Sequence, residues 1–172
     1  MMTRKIIRIV HAAAILLAAP SGLFVAGQSL AQTTSSQKGA AAISHAIGPF
    51  DVKLTPQDDK TEPTLGRMTI DKQYHGDLEG SGKGQMLTAA TEIKGSGVYV
   101  AVERFAGTLK GRSGSFSLHH TGVMTRGTPN LTITVVPDSG TGQLAGIAGR
   151  MNITIAADGK HSYDLEYTLP TQ

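Results

Sequence analysis

Beyond residue 45 the chain has few helix-length apolar periodicities, some segments alternate apolar with polar residues, and turn residues recur every 10–15 positions. A period of two puts successive side chains on opposite faces of a strand. The pattern predicts eight strands, at about 47–55, 65–74, 78–90, 97–109, 114–124, 130–137, 143–156 and 161–169. The separators carry turn chemistry: His75-Gly76-Asp77, Lys110-Gly111, Arg126-Gly127-Thr128-Pro129, Pro137-Asp138-Ser139-Gly140 and Asp158-Gly159. Links this short join antiparallel neighbours, because parallel pairing needs a crossover of about a dozen residues or more. An eight-stranded meander hides both of its edges by closing on itself. The expectation is an all-β chain with a single antiparallel eight-stranded β-barrel over residues 46–170, and a two-sheet sandwich as the alternative.

Individual strands refine this. In the last one, Tyr163, Leu165, Tyr167 and Leu169 share a face opposite Ser162, Asp164, Glu166 and Thr168. In the sixth, Leu131, Ile133 and Val135 oppose Thr132 and Thr134. Each reads as one buried and one wet face. The fourth strand is apolar on both: Val98, Val100 and Val102 on one side, Tyr99, Ala101, Glu103 and Phe105 on the other. Burial on both sides follows, with the outer stripe covered by a second subunit or by a helix or loop of the same chain. In the third strand Gly80, Gly82 and Gly84 leave one face bare, and Glu79, Ser81, Lys83 and Gln85 make the other polar. A bare inner face admits something bulky, either rings from across the barrel or a ligand. Gly142, Gly146 and Gly149 read as bends or bulges in the seventh strand.

Two titratable residues interrupt apolar faces. Glu103 lies between Ala101 and Phe105, and His120 continues the face of Phe116 and Leu118. If Lys110-Gly111 is the two-residue turn, Glu103 faces Leu118 and His120 faces Ala101; if Gly111-Arg112 is, Glu103 faces His120. Both registers put Tyr99, Glu103, Phe105, Phe116 and His120 on one face, whereas a three-residue loop would separate them. A buried carboxylate beside an imidazole can hold or pass a proton near neutral pH. It can equally be a structural pair plugging the barrel. A three-residue loop carrying Gly159 in the left-handed position would align Tyr163 and Leu165 with Ile153 and Met151, so Tyr163 and Tyr167 join the candidate interior.

Charge and the N-terminus change where this barrel belongs. Arg4, Lys5 and Arg8 precede a mostly apolar stretch, Ala12–Ala26, which ends in Ser29-Leu30-Ala31. That is the layout of a cleavable signal peptide over residues 1–31, and the apolar stretch is shorter than the roughly 20 residues of a membrane span. Residues 32–45 read as a polar leader. The chain of 172 residues has 16 Lys plus Arg against 13 Asp plus Glu, and removing the three bases of the signal leaves the two signs equal. No basic surplus is left for nucleic acid. The chain has no Cys, which excludes disulfides, thiolate chemistry and lipid attachment at a cysteine. The expected location is the periplasm or the medium, with no stable membrane anchor after cleavage.

Other motifs carry little. His119 and His120 are adjacent and so point to opposite faces of a strand, and no metal site is expected. The glycine-rich segment matches neither GxxxxGK[ST] nor GxGxxG, and no GxSxG surrounds Ser113 or Ser115, so no cofactor is expected. Asp58-Asp59-Lys60 and Asp71-Lys72 read as solvated surface.

Five segments resemble a known family: GPFDVKLTPQ (48–57), DLEGSGKGQML (77–87), GVYVAVERFAGTLKGRSGSFSLHHTGVM (97–124), VVPDSGTGQLAGIAGRM (135–151) and HSYDLEYTL (161–169). Over about residues 45–169 the chain is similar to the small bacterial proteins of the domain of unknown function 3224 family. The resemblance implies a barrel like that of allene oxide cyclase, within a lipocalin-like group whose members often enclose apolar ligands and form homo-oligomers. It implies no activity and no catalytic residues. The expectation is therefore an exported, cofactor-free barrel holding a small apolar or amphipathic ligand against Tyr99, Glu103, Phe105, Phe116, His120, Tyr163 and Tyr167. The alternatives are a cyclase or isomerase using Glu103 and His120, and a structural envelope protein whose barrel is filled by its own side chains.

Overall fold

The computed structural model describes residues 42–57 and 62–170. The proposed signal segment, most of the leader and Asp58-Asp59-Lys60 lie outside the described residues. The strands are β1 (Ser44–Gln57), β2 (Leu65–Tyr74), β3 (Leu78–Ala90), β4 (Gly97–Leu109), β5 (Arg112–Thr125), β6 (Thr128–Val135), β7 (Thr141–Gly142), β8 (Ala148–Ile155) and β9 (His161–Thr168). The order β4-β3-β2-β1-β9-β8-β6-β5 is closed by pairing of β4 with β5. All pairings are antiparallel, β7 is a two-residue addition on β5, and no helix occurs among the described residues. The chain is a closed eight-stranded barrel, and the sandwich alternative is excluded. β1 begins at Ser44, two residues inside the segment read as leader.

Turn chemistry sets the registers. Lys110 and Gly111 have φ of 47° and 80°, as do the residues of a two-residue type I′ turn, and they pair Leu109 with Arg112. Of the two registers open at the β4–β5 hairpin, this is the one with Glu103 opposite Leu118 and Ala101 opposite His120. At the last hairpin Ile155 pairs with His161 and Ala156 donates to the Lys160 carbonyl, so the loop is Ala157–Gly159 with Gly159 at φ 83°. Ile153 thereby faces Tyr163 and Met151 faces Leu165, as the apolar pattern required.

The expected strand over 143–156 is corrected: only Ala148–Ile155 is extended. Leu144 and Ile147 are 0% and 2% exposed and sit in the core. Turns bonded from Leu144 N–H to the Thr141 carbonyl and from Ile147 N–H to the Leu144 carbonyl carry them there. Gly142 and Gly146, at φ 59° and 78°, serve those turns and are not bulges of a curved strand. Alternation is missing because the segment plugs a barrel end and does not line its wall.

The interior is layered along the axis. At the plugged end Leu78, Leu109, Leu144 and Ile147 are packed shut. Above them Phe105 and Phe116 lie tilted by 41° with centroids 5.1 Å apart, and Tyr74 meets Phe105 and Tyr163 edge-on at 5.7 and 5.5 Å. Such offset and edge contacts are the favoured arrangements of aromatic rings. Outside, the Val98, Val100 and Val102 stripe is 42%, 47% and 59% exposed. No helix or loop among the described residues covers it, so of the two expected covers the described part of the chain does not supply the second.

Candidate ligand site

A polar layer lies above the aromatic one. Lys72 on β2 and Glu103 on β4 flank β3, so their backbones are two strand spacings, about 9–10 Å, apart. Two long side chains can close that gap only if the strand between carries none. β3 supplies Gly82 opposite Lys72 and Gly84 opposite Glu103. A Cβ on Gly82 would collide with Glu103 Oε1 and come within 3.0 Å of the Tyr74 ring. The bare strip read from the sequence is thus filled by a carboxylate and a ring of the protein itself.

Lys72 Nζ donates to Glu103 Oε2 at 2.7 Å and to Tyr74 Oη at 3.3 Å, and the Tyr74 hydroxyl donates to Glu103 Oε1 at 2.8 Å. Glu103 is 0% exposed and Lys72 only 5%. Lys72 Nζ also lies 4.9 Å from the centre of the Phe50 ring, within cation–π range. Burial pushes the Glu103 carboxyl up, but the neighbouring His120, the Lys72 ammonium and the Tyr74 hydroxyl outweigh it and hold the group below its ordinary value of 4.5. The same burial, together with the Glu103 charge, pushes the Tyr74 phenol well up, so Tyr74 stays a donor. His120 Nε2 is 3.4 Å from Glu103 Oε2, close enough for an ion pair, yet it makes no hydrogen bond. The short bonds from Lys72 and Tyr74 are therefore the principal hold on the carboxylate.

Lys72 corrects the reading of Asp71-Lys72 as solvated surface. Asp71 is outside and pairs with Lys83 at 2.6 Å, but Lys72 is buried. A signal was available: Met68, Ile70, Lys72 and Tyr74 share one face, which Lys72 interrupts as Glu103 interrupts that of β4. Tyr74 was likewise missed as the second partner of the carboxylate.

Above this layer the barrel opens into a cup of about 340 Å³. Every barrel strand contributes to it, each near the same end: Leu54, Ile70, Met86 and Ile153 form part of the wall, and Lys72 and His120 the polar part of the base. Of the seven residues predicted to touch a ligand, Tyr99 and His120 line the cup. Glu103 lies beneath it. Phe105, Phe116, Tyr163 and Tyr167 belong to the packed core. The Tyr163 hydroxyl accepts from Leu78 N–H at 2.7 Å and donates to the His75 carbonyl at 3.0 Å. Tyr99 is half-buried, with its ring against the Cα of Gly122, where an added Cβ would strike it. The adjacent His119 is exposed and bonds Thr134 at 2.9 Å, so the two histidines face opposite ways. Ser113 and Ser115 form no triad with it; Ser115 accepts from Arg104 at 2.6 Å.

The β6–β8 seam is the least paired part of the barrel wall. β6 and β8 share one bridge, Thr134 with Arg150, whereas neighbouring pairs form long ladders. Leu131 and Ile155, near the cup ends of these two strands, line both the cup and an adjoining outer hollow of about 370 Å³.

Fold and site together define a closed antiparallel barrel that is plugged at one end and carries an apolar cup over a buried Lys–Glu–Tyr cluster at the other. The chain belongs to the family described as "Protein of unknown function (DUF3224)", whose model matches residues 46–167. It is similar to a crystal structure of a DUF3224-family protein of unknown function from Shewanella oneidensis MR-1. The two share 44% identity over 76% of this chain and 100% of that one, with a TM-score of 0.71. No curated protein matches the chain.

Proposed function

We propose that this protein is an exported binding protein that holds a small apolar or amphipathic molecule in the open cup of its barrel. The observation that carries this reading is the cup itself: a mostly apolar hollow of about 340 Å³ with two basic side chains at its base. Ligand pockets begin at about 300 Å³ and combine apolar walls with a few convergent polar groups. A barrel serving only as structure would gain from filling this end as the other is filled, since an apolar hollow forgoes packing contacts.

An acid–base enzyme is the second reading, and the unbonded His120 Nε2 favours it. Glu103 does not line the cup, so any proton exchanged with a substrate would pass through His120, with Glu103 as a positioning residue. A homo-oligomer is the reading of the exposed Val98–Val102 stripe.

Native mass spectrometry of the protein purified from its own host, followed by organic extraction and small-molecule mass analysis, tests these together. A reproducible bound compound is the expected result. A clean apo mass, unchanged after incubation with lipids and apolar metabolites, overturns the binding reading, and the same spectra report subunit number.

A further inference from the structure

The base of the cup has hydrogen-bond donors to spare. An ammonium carries three N–H groups. Among the described residues Lys72 finds two acceptors, Glu103 Oε2 and Tyr74 Oη. The Glu103 carboxylate is sealed beneath, taking one bond on each oxygen from Lys72 and Tyr74. His120 Nε2 makes no hydrogen bond, its polar neighbour being Glu103 Oε2 at 3.4 Å, and its side chain is 4% exposed. Buried polar groups left unpaired cost free energy that a ligand atom can recover. The groups reaching the cup are the cationic one and the imidazole, while the anionic one is withheld from it. His161, the other imidazole on the lining, contacts the Phe50 ring at 5.2 Å between centroids and adds no acidic group.

Resting on the proposed binding function, we infer that the occupant is a short amphiphile whose polar end is an oxygen acceptor, a carboxylate or carbonyl, set against Lys72 and His120 with its tail among Ile70, Met86 and Ile153. A primary amine is the disfavoured head, because it would place a second ammonium beside Lys72. Size fits a compact tail: at roughly 30 Å³ per water-sized group, the cup holds about eleven such groups. An eight-carbon acid has ten heavy atoms.

Calorimetric titration of the purified protein with sodium octanoate, 2-octanone and octylamine at pH 7.5 tests this. Octanoate and 2-octanone should bind, and octylamine should bind about 10-fold more weakly or worse, the scale of one charge-assisted hydrogen bond. Whichever of the first two is tighter fixes the charge of the head. The double variant Lys72→Met/Glu103→Gln removes both charges together and leaves no carboxylate unpaired, so it should fold. It should narrow the gap between octanoate and octylamine while retaining the contributions of the tail and of His120. Octylamine binding as tightly as octanoate, or a head preference that is undiminished in the double variant, overturns the inference and leaves the apolar cup standing. Absence of binding by all three probes overturns the binding reading as well.

Discussion

Replacing Lys72 with Met removes an ammonium and keeps a long, flexible apolar side chain, so the perturbation is chiefly electrostatic. In the parent, Glu103 is held below its ordinary value of 4.5. Its contribution to stability is therefore present above that value and is lost as pH falls through the lower folded one. Without Lys72 the balance reverses. Burial of a carboxylate that is 0% exposed is then opposed only by Tyr74 and His120, and the folded-state pKa moves above the unfolded one. Breaking a buried ion pair by removing one partner costs about 3–5 kcal/mol. The folded variant relieves part of this by keeping a proton, so the deficit is smallest at acid pH, below the parent's lowered folded value, where both proteins carry a protonated Glu103. It grows by up to about 1.4 kcal/mol per pH unit toward its full size at pH 8. Guanidinium denaturation followed by far-ultraviolet circular dichroism at pH 5, 6.5 and 8 measures it. The double variant Lys72→Met/Glu103→Gln, with no charge left to strand, should recover more than half of the loss at pH 8. A deficit equal at all three pH values, with the double variant no better than the single, would refute the reasoning.

Gly82→Ala should lower stability by about 1–3 kcal/mol, since its methyl meets Glu103 and the Tyr74 ring, which cannot yield without loosening the Lys72 pair; an unchanged denaturation midpoint would count against that packing. Gly122→Ala drives the Tyr99 ring from its seat, because the new Cβ falls 2.6 Å from Tyr99 Cδ1. That ring packs against Ile70, Met86 and Ala101 and must shift among them, so the variant should lose some stability and change octanoate affinity severalfold, as denaturation and calorimetry would show. Intact-mass analysis of the exported protein should find Gln32 at its N-terminus, and a mass that includes residues 1–31 would remove the signal-peptide reading.

Strand positions were legible in the sequence because local patterns encode them. Alternation and turn residues place β2, β3 and β4 at 65–74, 78–90 and 97–109, as observed. The apolar pattern also chooses the last register over a two-residue turn, which would set Tyr163 and Leu165 opposite polar-face residues. Glu103 and His120 stood out because each breaks an apolar face, and closure follows from the cost of leaving two edges open. Tertiary structure alone decided the rest. The β4–β5 register had two solutions of equal parity, and a turn with positive φ at Lys110 and Gly111 selected one. Leu144 and Ile147 plug an end because of where β6 leaves the wall, which periodicity does not record. Lys72 reads as surface from its own residue type. It becomes an interior cation only because glycines on β3 let it reach a carboxylate two strands away, and no pattern within one strand reports on such a neighbour.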